Sequence, residues 1–129
     1  MRSIILLVDD DEFARCFTRT VLERAGYQVQ EADDIAGAIA VAGALTPAAV
    51  VTDWNLPDGN GGDLARILHE VSVALPVVLV TGDRDAAEQM QPASVDEFTS
   101  IISKPFSPSV LEKTLRTAIQ ERPYFAVGS

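Results

Sequence analysis

Asp53 stands at the end of the apolar run Ala48-Ala49-Val50-Val51-Thr52, where a buried strand should finish. A carboxylate at the C-terminal mouth of a parallel sheet lies where open α/β folds put their chemistry. Other strand-like runs also end on polar groups: Asp9 and Asp10 after Ile4–Val8, Thr81 at the close of Val77–Thr81, and Lys104 after Ser100–Ser103. Carboxylates gathered from neighbouring strands repel strongly: at an effective dielectric of about 20, each pair ~4 Å apart costs on the order of 4 kcal/mol. Such a cluster raises a pKa, recruits a cation, or does both. All-oxygen ligands with room for water suit Mg2+ or Mn2+, and Lys104 would counter the remaining charge. A divalent ion, a lysine and a threonine hydroxyl beside Asp53 are the parts that stabilise a phosphoryl group in transfer. The carboxylate can itself be the nucleophile, giving an aspartyl phosphate. A plainer use of an acid here is to cap a helix, which suits Asp10 or Asp11 but accounts for neither Asp53 nor Lys104.

Positioning these groups requires a particular order of elements. Ile4–Val8 is continuously apolar and bounded by acids, as a strand buried on both faces would be. Phe13, Phe17 and Val21 recur at helical spacing, with Gly26 as a stop. Residues 27–32 alternate in polarity, as a strand near a sheet edge does. Ile35, Ile39, Ala42 and Leu45 make a second helical stripe that ends before Pro47. Residues 49–52 form the third strand, followed by the turn-rich stretch Asn55-Leu56-Pro57-Asp58-Gly59-Asn60-Gly61-Gly62. Leu64, Leu68, Val71 and Leu75 form the next stripe, and Pro76 separates it from the strand Val77–Thr81. A short polar helix is expected over residues 84–90, closed by Pro92. Ser100–Ser103 reads as the fifth strand, and Leu111, Leu115 and Ile119 mark a last helix capped by Ser107 or Ser109. Strands alternating with helices imply a parallel sheet covered on both faces. Right-handed crossovers then carry Asp9, Asp10, Asp53, Thr81 and Lys104 to one rim.

Composition narrows the function classes. The 129 residues suit one domain with a single core, and the balance of 47% hydrophobic and 22% charged residues is that of a soluble globular protein. No apolar stretch approaches a membrane span. The N-terminal run is followed at once by acids with no small-residue cleavage site, which opposes a signal peptide. A net charge of −9 opposes direct binding to nucleic acid or an anionic membrane. The lone Cys16 excludes an internal disulfide, fits a reducing compartment and is expected as a buried thiol in the first helix. His69 is the single histidine, so a Cys/His metal site is excluded, and its place within a helix opposes a Ser-His-Asp set. The glycines at 59–62 lack the Lys-Ser/Thr of a P-loop and read as a turn. Trp54 reads as packing or a lid beside the site, and Asp83 and Arg84 as residues that tune water access to it.

Taken together, Leu7-Val8-Asp9-Asp10-Asp11, Thr52-Asp53-Trp54-Asn55-Leu56-Pro57, Leu79-Val80-Thr81-Gly82 and Lys104-Pro105-Phe106 resemble the receiver domain of two-component response regulators. The resemblance covers nearly the whole chain, with residues 1–122 as the receiver domain and 123–129 as a C-terminal tail. It implies an α/β, flavodoxin-like (βα)5 fold with a five-stranded parallel sheet in the order 2-1-3-4-5 and helices on both faces. By the same resemblance Asp53 would accept phosphate from a histidine kinase or a histidine phosphotransfer protein. Asp10 would ligate Mg2+ directly with Asp53, Asp9 would hold it through water, and Asn55 would lend its backbone carbonyl, with Mn2+ an alternative ion. Thr81 would move toward the phosphate and Lys104 would pair with it, ahead of a Lys104–Pro105 bond that is often cis in the family. The implied protein is cytoplasmic, a monomer or weak dimer, and signals to a downstream protein rather than to nucleic acid or membrane, its only catalysis being self-phosphorylation and self-dephosphorylation.

Three departures from the family pattern shape further expectations, one being Pro92 and the polar stretch 93–97, which disturb the fourth-helix region and imply an unusual output face. Gly59-Asn60-Gly61 stands where the family commonly has an apolar residue and then Asp-Gly, which implies a more mobile loop. Ile101 occupies the position of the aromatic that usually swings with the threonine, which implies a weak or altered switch. The altered loop and Ile101 leave room for a receiver-fold adaptor that works without phosphate. An aspartyl-phosphate hydrolase is a further alternative, opposed by Asn55 where those enzymes carry a second acid.

Overall fold

Alternation along the strands decides which layer each side chain joins. The computed structural model describes residues 2–82 and 97–120. Its elements run β1 (Ile4–Val8), α1 (Glu12–Arg24), β2 (Gln28–Ala32), α2 (Ile35–Leu45), β3 (Ala49–Asp53), β4 (Asn55–Leu56), β5 (Gly59–Asn60), α3 (Gly61–Val71), β6 (Val77–Thr81), β7 (Ser100–Ser103) and α4 (Pro108–Gln120). The main sheet has five strands in the order β2-β1-β3-β6-β7, all neighbours parallel. Leaving aside the small β4–β5 ribbon, that is the expected 2-1-3-4-5. Ile5, Leu7, Val51, Val78 and Val80 point to one face and pack with Val21 and Leu22 of α1 and Leu111 and Leu115 of α4. Leu6, Val8, Val50 and Val77 point to the other and pack with Ile35 and Ala38 of α2 and Leu64, Ala65 and Leu68 of α3. Each such side chain fully withdrawn from water contributes about 1.5–3 kcal/mol.

Register fixes the rim. Val8 lies opposite Ala32 and Thr52, Asp53 opposite Val80, and Thr81 opposite Ser103, so the strands deliver their C-terminal ends side by side. Local chemistry sets the helix ends: Gly26 takes a φ of 99° after α1, and the Ser107 Oγ accepts the Val110 N–H at 3.3 Å with Pro108 at the first position of α4.

Helix rotation differs from the sequence expectation at several places. In α1 the buried residues are Thr18, Val21 and Leu22, while Phe13 is 89% and Phe17 50% exposed. Phe13 is nine residues from Leu22, about 180° around the helix, so both cannot face the sheet. Cys16 is exposed rather than buried for the same reason. In α2 nearly every position is apolar and periodicity alone does not choose a face; packing selects Ile35 and Ala38 and leaves Ile39 and Leu45 partly open. Val71 ends α3 fully in solvent, and Ile67 and Leu75 pack against that layer instead. The expected helix at 84–90, the Pro92 stop, residues 93–96, Asp83, Arg84 and the tail 123–129 lie outside the described residues.

Candidate functional site

The acidic run at the end of β1 is divided by its hydrogen bonds. Asp11 is the N-cap of α1: its carboxylate accepts the N–H groups of Phe13 and Ala14 at 2.9 and 3.3 Å. Capping therefore falls to Asp11 and not to Asp10. Asp9 is buried, with its N–H donating to the Ala32 carbonyl at 3.2 Å and its Oδ1 accepting the Asp11 N–H at 2.9 Å. Asp10, between them, is exposed at the rim.

Asp53, at the end of β3, completes the cluster. Its Oδ1 accepts the Trp54 N–H at 2.8 Å. One carboxylate oxygen from each of Asp9, Asp10 and Asp53 lies within 4.8 Å of the others. Lys104 enters from beyond β7, with Nζ 3.5 Å from Asp9 Oδ2 and its N–H donating to the Thr81 carbonyl at 2.9 Å. The Lys104–Pro105 peptide is cis. Burial pushes the Asp53 carboxyl above its usual range; Lys104 pulls it back, while Asp9 and Asp10 push it further up. A partly desolvated, all-oxygen donor set with this charge fits a hard divalent cation such as Mg2+. Thr81 is buried at the end of β6, and Asn55 is exposed at the start of the ribbon. Ile101 faces away from the core and is 41% exposed, its neighbour Ile102 being the buried one. Trp54 meets Phe98 edge to face, with ring centroids 6.5 Å apart.

The loop after Asp53 is tied back at several points. Asn55 pairs with Asn60 and Leu56 with Gly59, and the Leu56 side chain is buried. The Gly61 N–H donates to the Trp54 carbonyl at 2.8 Å. A Cβ on Gly61 would sit 2.6 Å from the Asp53 carbonyl oxygen, so glycine is required for the backbone to pass there. Asn60 and Asp63 form a capping box at the start of α3. The Asp58 carboxylate accepts the N–H groups of Ile35 and Ala36, at 2.8 and 3.1 Å, which holds its pKa below the ordinary value. The Asn60…Asp63 spacing is a signal visible in the sequence; nothing local ties Asp58 to α2. His69 lies within α3 against Glu97 and the Leu75 carbonyl, not among the rim residues.

A profile of the response regulator receiver domain matches residues 5–116. The chain belongs to the receiver-domain family of response regulators. Receiver domains are signalling modules, and this receiver is 35% identical over 120 residues to the phosphate regulon transcriptional regulatory protein PhoB of Pseudomonas aeruginosa, covering 90% of this chain and 51% of that protein. It is 31% identical over 118 residues to the KDP operon transcriptional regulatory protein KdpE of Escherichia coli, with the same coverage. The chain thus spans about half the length of these curated relatives. Among solved structures, a CheY-like receiver domain protein from Methanospirillum hungatei superposes with a TM-score of 0.83 at 25% identity, over 94% of this chain and 96% of that one. The chemotaxis response regulator CheY4 of Vibrio cholerae gives 0.81 at 25% identity, over 92% and 99%. Among the described residues of the receiver, no helix is long and apolar enough to cross a membrane.

Proposed function

We propose that this receiver accepts a phosphoryl group on Asp53 from a phosphohistidine donor and passes the change to a protein partner. The observation that carries the reading is the meeting of Asp9, Asp10 and Asp53 within 4.8 Å, with Lys104 against Asp9. Asp53 Oδ1 is engaged by the Trp54 N–H, and we assign the attack to Oδ2. The Oδ2–P bond forms as the P–N bond breaks, and that bond's electron pair returns to the imidazole nitrogen. Asp9, Asp10, Asp53 and the Asn55 carbonyl would hold Mg2+. When bound, the ion supplies charge neutralisation to the phosphoryl oxygens. Lys104 adds a second cation, and the Thr81 hydroxyl a hydrogen bond. Because these contacts exist only with the phosphoryl group present, they bias a conformational equilibrium; a swing from 1:99 to 99:1 requires about 5.5 kcal/mol of differential stabilisation. The net charge of −9 supports a protein rather than nucleic acid as the receiver's direct partner. Incubation with a radiolabelled phosphodonor tests the reading: wild type takes up label and Asp53→Asn does not. Label retained at the wild-type level by the mutant refutes it.

A further inference from the structure

Asp9 contributes more than a carboxylate to the rim, because its backbone is gripped from behind. Arg15, one turn into α1, directs Nη1 to the Asp9 carbonyl oxygen at 2.6 Å. Its Nε donates to Glu31 Oε1 at 3.2 Å, on the edge strand β2. Arg19, one turn further along α1, takes the other Glu31 oxygen, and Arg19 itself is paired with Glu23 at 3.3 Å. The Arg15 and Glu31 side chains are only 21% and 29% exposed. A guanidinium holds two acceptors in a fixed fork, which an ammonium does not reproduce. The Asp9 N–H is already tied to the Ala32 carbonyl, one residue beyond Glu31. The peptide units on both sides of the Asp9 Cα are therefore anchored to the end of β2, one directly and one through Arg15.

We infer that Arg15, oriented by Glu31, is a positioning residue that sets the Asp9–Asp10 carboxylates for a divalent cation. The inference rests on the metal-dependent reading of the site proposed above. Neither residue touches the carboxylate oxygens, so the effect acts through the backbone. Partners hydrogen-bonded directly to a metal's ligands typically alter affinity about 10–100-fold when removed, and a residue acting one step further out is expected at the lower end of that range.

Charge and positioning predict opposite signs, which makes the test decisive. Arg15→Ala removes a cation and leaves Glu31 paired with Arg19 alone, so charge alone would tighten Mg2+ binding. Loss of the clamp would weaken it. Calorimetric titration of Mg2+ into the wild type, Arg15→Ala, Arg15→Lys and the Arg15→Ala/Glu31→Gln double variant should give Arg15→Ala about tenfold weaker than wild type. The lysine variant should recover only part of the affinity, and the double variant, with the pair's charge balance restored, should remain weak. Amide hydrogen exchange without metal gives an independent readout. The Asp11 N–H, which donates to Asp9 Oδ1, should exchange faster in Arg15→Ala while the amides of β6 keep their wild-type protection. Unchanged or tighter Mg2+ binding by Arg15→Ala, or unchanged exchange at Asp11, overturns the inference. A wild type that binds no Mg2+ overturns the metal-dependent reading instead, and the exchange result then still decides whether Arg15 holds the loop.

Discussion

Asp53 and Asp58 lie five residues apart, one just before the short β4–β5 ribbon and one in its turn, and their carboxyls shift in opposite directions. Asp53 faces inward among carboxylates at the sheet rim, where desolvation raises its pKa. Asp58 faces the N-terminus of α2, where the N–H groups of Ile35 and Ala36 stabilise its anion. One residue type thus serves two ends. A carboxylate spent on backbone donors secures the fold, and one left among like charges stores a demand for a cation.

The largest test of that contrast is chemical. Asp53→Asn is expected to reduce phosphoryl uptake to background, whereas Asp58→Ala should retain most of it in the same labelling assay. Cation binding should divide the two sites next. At a free Mg2+ concentration of about a hundred times Kd, linkage stabilises the folded wild type by about 2.7 kcal/mol. Thermal unfolding with and without Mg2+ should show that gain in wild type and Asp58→Ala, and lose most of it in Asp53→Asn. An equal response in Asp53→Asn would place the cation elsewhere.

A smaller effect is the pH dependence of metal-free stability. A raised carboxyl keeps its proton in the folded state to higher pH than in the unfolded chain. Stability from Asp53 is therefore highest below the unfolded value of about 3.9 and falls as pH rises through the folded pKa. Asp58 has the reverse sign: its contribution is full above the unfolded value and is lost as pH falls through the depressed folded pKa. Denaturant midpoints at neutral pH should accordingly rise for Asp53→Asn and drop for Asp58→Ala, each relative to wild type. Two shifts of the same sign would remove the distinction. The smallest effect is expected far from either acid: Phe13→Ala, at a side chain 89% exposed, should change stability by no more than about 0.5 kcal/mol.

Much of the rim is legible in the chain itself. Asp9, Asp10, Asp53, Thr81 and Lys104 each follow or close an apolar run, and a parallel α/β alternation leaves them one shared edge. The Asn60…Asp63 capping pattern is equally local. Arg15 escapes such a reading because its acceptors are a backbone carbonyl and a glutamate sixteen residues away. The clamp of Asp58 on α2 spans twenty-three residues and leaves no pattern in its own segment.

Apolar runs, turn residues and acids at strand ends are properties of short segments, so the sequence by itself determined the five strands of the main sheet and the polar groups at their ends. Rotation of α1 is different. Phe13, Phe17 and Val21 make as regular a stripe as the one chosen, yet Thr18, Val21 and Leu22 enter the core. Only packing against β1, β2 and α4 ranks those faces, because the free energy of burial belongs to the whole layer and not to one helix. The same is true of the groups that grip Asp9 and Asp58. Whether a donor meets an acceptor on another element depends on angles and registers that exist only once the sheet and both helical layers have assembled.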